Sequence, residues 1–332
     1  MSWSGEKLNA LVSGNVKAVN DSYELFSSGR TRQKGQEMSD AARAKLQASG
    51  VVVEPRISLG IGVPAIDTVP KVELAASMEN AILRSEDEVW GYWGAPELSA
   101  ALAEHFVRVR GDTAATPAHF MADGGSSGAI GSIARAFLAP GDAIISERPG
   151  YVGSMGAFTS QPGVRYVGVD LNDDGLDMAE LGSVVAELKA QGSTAKMIYI
   201  QTLYHNPRGT GYTVARMREL LTFCAEHSIL ILNDEAYYGL HLTDEAPVYM
   251  SVLADEMGLS MGVITACTFS KTIAPGLRAG FTFAHPDVIG AISSVRTGST
   301  SQVLLLGLAD FIERGAWEEQ IAKVLKTMNF VS

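Results

Sequence analysis

The stretch "KMIYIQTLYHNPRGTGYTVARMRELLTFCAEHSILILND", residues 196–234, places a helical pattern between two apolar runs. Residues 196–202 and 229–234 are short, mostly apolar and rich in β-branched side chains, which is typical of buried strands. Residues 214–228 carry apolar side chains at helical spacing. Apolar strands separated by helices indicate a mainly parallel sheet that is covered on both faces. The stretch therefore predicts an α/β fold.

The same alternation extends over the chain from residue 56 onward. Further strands are predicted at 143–147, 165–170, 262–269 and 279–284. Further helices are predicted at 78–85, 96–111, 128–138, 301–312 and 316–328. The predicted fold class is a three-layer α/β/α sandwich with a mainly parallel sheet. Residues 1–55 are polar with a basic stretch, and we expect an N-terminal arm there rather than a domain.

Composition and charge narrow the classes of function. The 332-residue chain has 46% hydrophobic residues, as expected for one large or two modest globular domains. Its net charge of −11 argues against nucleic acid or an anionic membrane as the main partner. Cys224 and Cys267 both lie in apolar runs, so we expect buried thiols in a reducing compartment and no metal site. No signal-peptide core or long apolar run is present, and we expect a soluble cytoplasmic protein.

Ligands of open α/β sheets bind beyond the carboxyl ends of the strands. This rule selects four short segments that follow predicted strands, namely 147–151, 204–209, 233–238 and 268–271. The last of them ends at Lys271, within "CTFSKTIAPGLRAG" at residues 267–280. A lysine in such an apolar setting is rare unless it is paired or reactive.

Two of these segments carry polar side chains for a ligand. Asp234 ends an apolar strand, and its carboxylate is expected either to cap a turn or to pair with a cationic ligand atom. Tyr237 directs a phenol towards the same point. Asn206 precedes Pro207 in a turn signal, but its amide can also donate to a ligand oxygen beside Asp234.

A small-residue segment predicts an anion site. Gly125, Ser126 and Ser127 precede a predicted helix, where free N–H groups and the helix dipole favour a phosphate. A small-residue helix start without a ligand is the alternative. Arg278 can supply a bidentate partner to the same phosphate, and Tyr151 follows another strand, where it can stack on a flat ring.

Together these side chains describe a flat cationic heterocycle with a phenolic oxygen, an aldehyde and a phosphate, which is pyridoxal phosphate. The chain resembles the class I/II aminotransferases of fold type I. The resemblance rests on "GAPELSAALAEHF", "GGSSGAIGSIARAFLAPGD", "ERPGYVG", "HNPRG", "NDEAYYG" and "TFSKTIAPGLRAG". These motifs occur in the order of the family, over roughly residues 57–325.

The resemblance implies roles for individual residues. Lys271 would form the internal aldimine and then move a proton between the substrate Cα and the cofactor. Asp234 would keep the pyridine nitrogen protonated, and Tyr237 and Asn206 would bind the phenolic oxygen. Tyr151 would stack on the ring. The phosphate would be held by Gly125, Ser126, Ser127, Thr268, Ser270 and Arg278.

The substrate side departs from the family pattern. Gly62 matches a backbone contact to the substrate carboxylate. Trp90 occupies a position where the family usually has a tyrosine that reaches the partner subunit's site, and Tyr92 lies beside it. His205 is either an acid or base on the substrate side or a turn histidine. Gly62, Trp90, Tyr92 and His205 are therefore predicted to face the substrate.

The resemblance also implies a domain organisation. Residues 1–55 would be an arm, 56–300 the large domain that binds the cofactor, and 301–332 the beginning of a small C-terminal domain that is cut short. The family's arginine for the substrate carboxylate lies in that small domain, and Arg296 does not fit its pattern.

The leading hypothesis is an aminotransferase that moves an amino group between an amino acid and a 2-oxo acid. A lyase, decarboxylase, oxidase or cyclase of amino acids would use the same cofactor residues. A non-catalytic binding or regulatory relative is the third hypothesis. The resemblance further implies a homodimer with shared active sites.

Overall fold

The computed structural model describes residues 64–84, 90–91, 94–241 and 246–329, which lie within a compact unit spanning Gly62–Ser332. The predicted arm and the candidate residues Gly62 and Tyr92 lie outside the described residues. The division of the chain at residues 55 and 300 stays a prediction.

The described residues form one eight-stranded sheet, which confirms the predicted α/β class. Its order is β1-β8-β7-β6-β5-β2-β3-β4. Strands β3, β2, β5, β6 and β7 run parallel, whereas β8 is antiparallel to β7 and β1, and β4 is antiparallel to β3. The strands are β1 (Phe120–Asp123), β2 (Asp142–Arg148), β3 (Arg165–Asn172), β4 (Gly175–Leu176), β5 (Thr194–Ile200), β6 (Leu230–Asp234), β7 (Val263–Thr268) and β8 (Gly280–Ala284).

Helices connect and cover these strands. They are α1 (Lys71–Arg84), α2 (Pro96–His105), α3 (Ser126–Phe137), α4 (Val152–Thr159), α5 (Met178–Ala190), α6 (Val214–His227), α7 (Met250–Glu256), α8 (Pro286–Ser294), α9 (Gln302–Glu313) and α10 (Ala316–Asn329). Among the described residues, no helix is long and apolar enough to cross a membrane.

Local signals explain where several helices begin and end. Thr213 caps the N-terminus of helix α6, where its hydroxyl accepts a hydrogen bond from Arg216 N, and Ser228 caps the C-terminus in the left-handed conformation. Helix α2 begins with Pro96 in its first turn and continues into a π-helical turn at Phe106–Arg110.

The alternation of side chains along the central strands builds two apolar layers. On one face, Ile198 and Ile231 pack with Leu220 of α6. On the other face, Met197 and Leu232 pack in a separate cluster that includes residues of α3. Successive strand residues point to opposite faces, so the continuous apolar runs fill both layers. This confirms the predicted three-layer arrangement.

Several elements were not predicted from the sequence. These are β1, β4, α4, α5, α7 and α8, and helix α1 begins at Lys71 rather than near residue 78. Helix α5 contains Gly182 and two adjacent valines, which lower intrinsic helix propensity. Its buried side chains are Leu181 and Leu188, seven residues apart on one face. Tertiary packing of that face therefore stabilises a helix that local preference does not indicate.

An added methyl group at Gly280 tests the close approach of β8 to the start of α3. An ideal Cβ there would lie 2.3 Å from Cys267 O and 2.8 Å from Gly125 Cα. Because both are backbone atoms, we expect Gly280→Ala to lower the free energy of unfolding in urea by about 1–3 kcal/mol. Gly182→Ala is the matched control, since its Cβ meets nothing within 4 Å. It should stabilise α5 by about 0.5–1 kcal/mol, and destabilisation by both variants would contradict the packing argument.

Candidate active site

Two neighbouring parallel strands bring Asp234 and Lys271 to one edge of the sheet. Strand β6 ends at Asp234, which pairs with Ala266 of β7, and the turn after β7 carries Lys271. Burial lowers the pKa of the half-buried Lys271 amine, and the smaller attraction of Asp234 opposes that shift. The Lys271 Nζ lies 5.9 Å from the ring centroid of Tyr237. The structure therefore places the three predicted catalytic side chains together.

The carboxylate of Asp234 is buried and only partly satisfied. Its Oδ2 accepts a hydrogen bond of 2.7 Å from the Tyr199 hydroxyl. Its Oδ1 is buried and has no hydrogen-bond partner among the described residues. Burial raises the pKa of Asp234 to about 6, and hydrogen bonds from the Tyr199 hydroxyl and the Ala236 backbone N–H oppose this shift. A buried acceptor without a partner costs about 1–3 kcal/mol, so this oxygen fits the N–H of a cationic ring.

Tyr199 is a site residue that the sequence analysis missed. It lies within the apolar strand β5 and is fully buried. A buried tyrosine hydroxyl usually has a hydrogen-bond partner, and a strand-end aspartate is an obvious acceptor. The position of Tyr199 within an apolar strand could therefore have indicated a buried hydrogen bond. Its pairing with Asp234 could not be predicted without knowing that β5 and β6 are neighbours.

Asn206 and Tyr237 meet beside this carboxylate. The Asn206 Nδ2 donates to the Tyr237 hydroxyl at 3.3 Å. The backbone N of Asn206 is held by Gln201 Oε1 at 2.9 Å, and its peptide bond to Pro207 is cis. An amide and a phenol directed to one point can both donate to a ligand oxygen, as predicted.

The residues of the predicted anion site lie together at the start of α3. Gly125 precedes the helix with φ of 85°, and Ser126 and Ser127 form its first turn. A Cβ on Gly125 would lie 3.5 Å from Thr268 Oγ1 and 3.7 Å from Arg278 Nη2. The missing side chain therefore leaves a cradle between a helix N-terminus, a hydroxyl and a guanidinium.

Short hydrogen bonds hold the walls of this cradle. Ser270 N donates to Thr268 Oγ1 at 3.1 Å, and the Ser270 and Thr268 hydroxyls lie 2.8 Å apart. The Arg278 Nη2 donates to Gly124 O at 3.3 Å. The exposed Arg278 guanidinium and the two hydroxyls thus lie where a phosphate could bridge them.

Tyr151 faces the same edge of the sheet. Burial raises the pKa of its phenol, and the charges of Asp234 and Tyr237 add to that shift. A Cβ at Gly153 would lie 2.4 Å from Tyr151 Cζ, so the glycine makes room for the ring. The position suits an aromatic that stacks on a planar ligand.

Neither His205 nor Trp90 is brought into this cluster. His205 is buried, its Nε2 lies 3.1 Å from Glu147 Oε2, and its Nδ1 accepts from Arg208 N at 3.3 Å. Both ring nitrogens face protein groups, which favours the turn histidine over a substrate contact. Trp90 is 68% exposed. The substrate roles of Trp90, Gly62 and Tyr92 stay predictions.

Glu147 forms a second buried network that the sequence did not indicate. Besides His205, it accepts hydrogen bonds from the Tyr212 hydroxyl at 2.8 Å and from Gln201 N. Burial raises the pKa of Glu147, and the contact with His205 opposes the shift. Because Gln201 also holds Asn206, this network supports the loop that carries the predicted ligand amide.

Comparison with known proteins extends the motif matches to most of the chain. The family described as aminotransferase class I and II matches residues 54–328. Aromatic-amino-acid aminotransferase 1 of Thermococcus litoralis is 30% identical over 81% of this chain and 65% of its own length. The HTH-type transcriptional regulator YisV of Bacillus subtilis, itself uncharacterised, is 24% identical over 95% of this chain and 65% of its own length.

A solved structure shows the same fold. LysN, an alpha-aminoadipate aminotransferase of Thermus thermophilus complexed with N-(5'-phosphopyridoxyl)-L-leucine, is 26% identical, with a TM-score of 0.70. The match covers 80% of this chain and 66% of that chain. The chain thus spans just under two thirds of the length of each of these three proteins. The family match runs through every strand-end residue described above, and the chain belongs to the class I and II aminotransferases.

Proposed function

We propose that this chain binds pyridoxal phosphate and acts as an aminotransferase between an amino acid and a 2-oxo acid. The observation that carries the proposal is the buried, unpartnered Oδ1 of Asp234 at the same sheet edge as Lys271. The protonated nitrogen of the pyridine ring would donate a hydrogen bond to this oxygen. The names of the related aminotransferases support the choice of reaction.

The described residues fit the cofactor group by group. Asp234 Oδ1 would accept the ring N–H, and Asn206 and Tyr237 would donate to the phenolic oxygen. The cradle at Gly125 would hold the phosphate between the start of α3, Thr268 and Arg278. When bound, the cofactor supplies an aldehyde for an amine and a ring that withdraws electrons from the carbon being deprotonated.

Lys271 is the residue that would hold and move the proton. Because burial lowers the pKa of its amine, a larger fraction is neutral near physiological pH than for an exposed lysine. A neutral amine can take a proton from the substrate Cα and return it to the neighbouring carbon. The turn that carries Lys271 is tied to Thr268 and Ser270, which orients the amine relative to the cradle.

A second candidate function is that of a ligand-sensing regulator, because one relative is named a transcriptional regulator. Such a protein could bind the same cofactor without turnover. Lyases, decarboxylases, oxidases and cyclases would share the cofactor residues too. A screen of amino donors with a 2-oxo acid separates these possibilities. Transfer predicts one new amino acid per donor consumed, without oxygen uptake or release of ammonia or carbon dioxide.

We further propose a homodimer in the cytoplasm. Val72 and Leu83 of α1 and the preceding Ile66 are each more than 70% exposed, which is unusual for large apolar side chains that face only water. Cys224 and Cys267 are buried free thiols, in keeping with a reducing compartment. Sedimentation of the purified protein as a single chain at micromolar concentration would overturn the dimer.

Reductive trapping tests the proposed attachment residue. Protein incubated with pyridoxal phosphate should turn yellow, and sodium borohydride should fix the cofactor onto the peptide that contains Lys271. Mass spectrometry of the digest locates the label, and the other lysines serve as internal controls. Lys271→Ala should still bind the cofactor but lose turnover. A colourless protein, or labelling spread over surface lysines, would rule out the proposed site.

Removing the charge of Asp234 should raise the stability of the folded protein and lower its affinity for the cofactor. Since its pKa rises from 3.8 to about 6, folding loses stability as the pH rises from about 4 to above 6. We therefore expect Asp234→Asn to stabilise the cofactor-free protein at pH 8 by about 3 kcal/mol, and not below pH 4. The same variant should lower cofactor affinity and reduce kcat by about 100-fold or more.

Asp123→Asn is the matched control for this variant. Burial also raises the pKa of Asp123 to about 6, and its partner is the Thr282 hydroxyl at 2.9 Å. It should reproduce the gain in stability at pH 8 without lowering cofactor affinity. Thermal unfolding with and without cofactor measures both effects. Unchanged affinity in Asp234→Asn would contradict the role assigned to this carboxylate.

A further inference from the structure

The residue directly after Lys271 is held by the C-terminal helix α10. The Trp317 Nε1 donates to Thr272 Oγ1 at 3.0 Å. The Gln320 Nε2 donates to Thr272 O at 3.1 Å and to Thr68 O at 3.0 Å. Thr272, Trp317 and Gln320 are each at most 3% exposed, so these bonds form away from water.

Helix α10 holds both the hydroxyl and the carbonyl of Thr272. One donor takes its hydroxyl and another takes its carbonyl, which is part of the next peptide group. The Trp317 ring also packs edge-on against Phe269, with centroids 5.1 Å apart. The turn is therefore held two residues before Lys271 and one residue after it, which restricts how its backbone can rotate.

The identity of Gln320 matters for this arrangement. Its amide has two N–H donors, and both have a backbone carbonyl as acceptor. A glutamate there would direct a carboxylate at two carbonyl oxygens, and a shorter side chain would leave both acceptors without this donor. The carbonyl of Thr68 belongs to the turn Ile66–Thr68, so one side chain joins two separate segments to α10.

The same helix also holds the segment that follows Tyr237. The Tyr238 hydroxyl lies 2.6 Å from His105 Nε2, and His105 Nδ1 lies 2.7 Å from Glu318 Oε1. A Cβ at Gly239 would lie 2.8 Å from Ile321 Cδ1, so this backbone rests directly on α10. The first two turns of α10 thus contact the residues after both Lys271 and Tyr237.

We propose that Trp317 and Gln320 are positioning residues that act through Thr272 to hold the Lys271 amine in place. The proposal rests on the proposed role of Lys271 in proton transfer. It assigns α10, which contributes no predicted cofactor contact, a direct influence on the rate of that transfer. Loss of either donor should loosen the turn while the cofactor cradle at Gly125 keeps its own hydrogen bonds.

The test uses four substitutions and a control in the same helix. Trp317→Phe, Gln320→Met and Thr272→Val each remove one hydrogen bond to or from Thr272. Gln320→Met and Thr272→Val do so with little change in volume, Trp317→Phe also removes part of a buried ring, and Thr272→Ser keeps the hydroxyl. Val324→Ala is the control, because Val324 is buried in α10 one turn beyond Gln320 and donates no side-chain hydrogen bond. It should lower stability without affecting the turn.

Hydrogen exchange of the cofactor-free protein gives the first measurement. The amides of Ile273 and Ala274 both donate to Phe269 O, at 2.8 and 3.2 Å. We expect exchange of the peptide covering 269–274 to accelerate about fivefold to tenfold in the three bond-removing variants, as expected for loss of one neutral hydrogen bond. Thr272→Ser and Val324→Ala should exchange at the wild-type rate there.

Kinetics of the cofactor-loaded protein gives the second measurement. We expect kcat to fall about fivefold to tenfold in the bond-removing variants with KM unchanged, and Thr272→Ser to restore it. The double variant Trp317→Phe with Thr272→Val should lose no more of kcat than either single variant, since both changes remove the same hydrogen bond.

Each outcome decides the proposal. Wild-type exchange at 269–274 in Trp317→Phe and Gln320→Met would overturn it, as would equal kinetic losses in Val324→Ala. If the protein takes up no cofactor, the proposed function fails, yet the exchange experiment still decides whether α10 holds the turn. If a helix variant does not fold, the pair Thr272→Val and Thr272→Ser gives the same comparison from within the turn.

Discussion

The site depends on one buried carboxylate, of which one oxygen accepts a side-chain hydrogen bond and the other does not. Asp234 lies at the end of a strand that is paired on both sides and is 1% exposed, and the Tyr199 hydroxyl supplies its single side-chain partner. The protein carries the free-energy cost of the open Oδ1, which folding alone gives no reason to retain. In the proposed function, a bound cationic ring nitrogen offsets this cost. The protein is then less stable without the cofactor and binds the cofactor more tightly.

The parallel sheet explains why the other groups lie within reach of Asp234. Neighbouring parallel strands end at the same edge, so the turn after β7 brings Lys271 beside the end of β6 without any contact local in sequence. The cradle needs a closer approach, because β8 packs its Gly280 against the backbone of Gly125. A side chain at Gly280 would collide with the backbone of Cys267 and Gly125, and one at Gly125 would enter the space between Thr268 and Arg278.

The sequence predicted the strand-end residues well, because their signals are local. An apolar run followed by Asp234 or by Lys271 identifies the end of a strand, and strand ends are where ligands bind. Tyr199, the hydrogen-bond partners of Glu147 and the contacts of α10 with Thr272 were not predictable in this way. The bonded residues lie 35 to 65 residues apart along the chain, so only the order of the strands and the packing of the last helix reveal them. His205 was ambiguous for the same reason, since its partner Glu147 lies in a different part of the chain, in strand β2.

The adjacent carboxylates of "NDEAYY" show how the fold assigns different roles to similar side chains. Asp234 ends β6 and Glu235 directly follows it, with its backbone N still donating to Ala266 O of β7. Both side chains are buried, and successive side chains of extended backbone point in opposite directions. Glu235 accepts hydrogen bonds from Arg110 Nη1 at 2.6 Å and from Asn233 Nδ2 at 2.9 Å. Arg110 stays protonated at any physiological pH and also pairs with Asp112 at 2.8 Å, so Glu235 has a cationic partner within the protein. Asp234 has no such cation of its own, only an amine whose charge burial weakens. Glu235 therefore has a cationic partner within the protein, whereas Asp234 is left to pair with a cationic ligand.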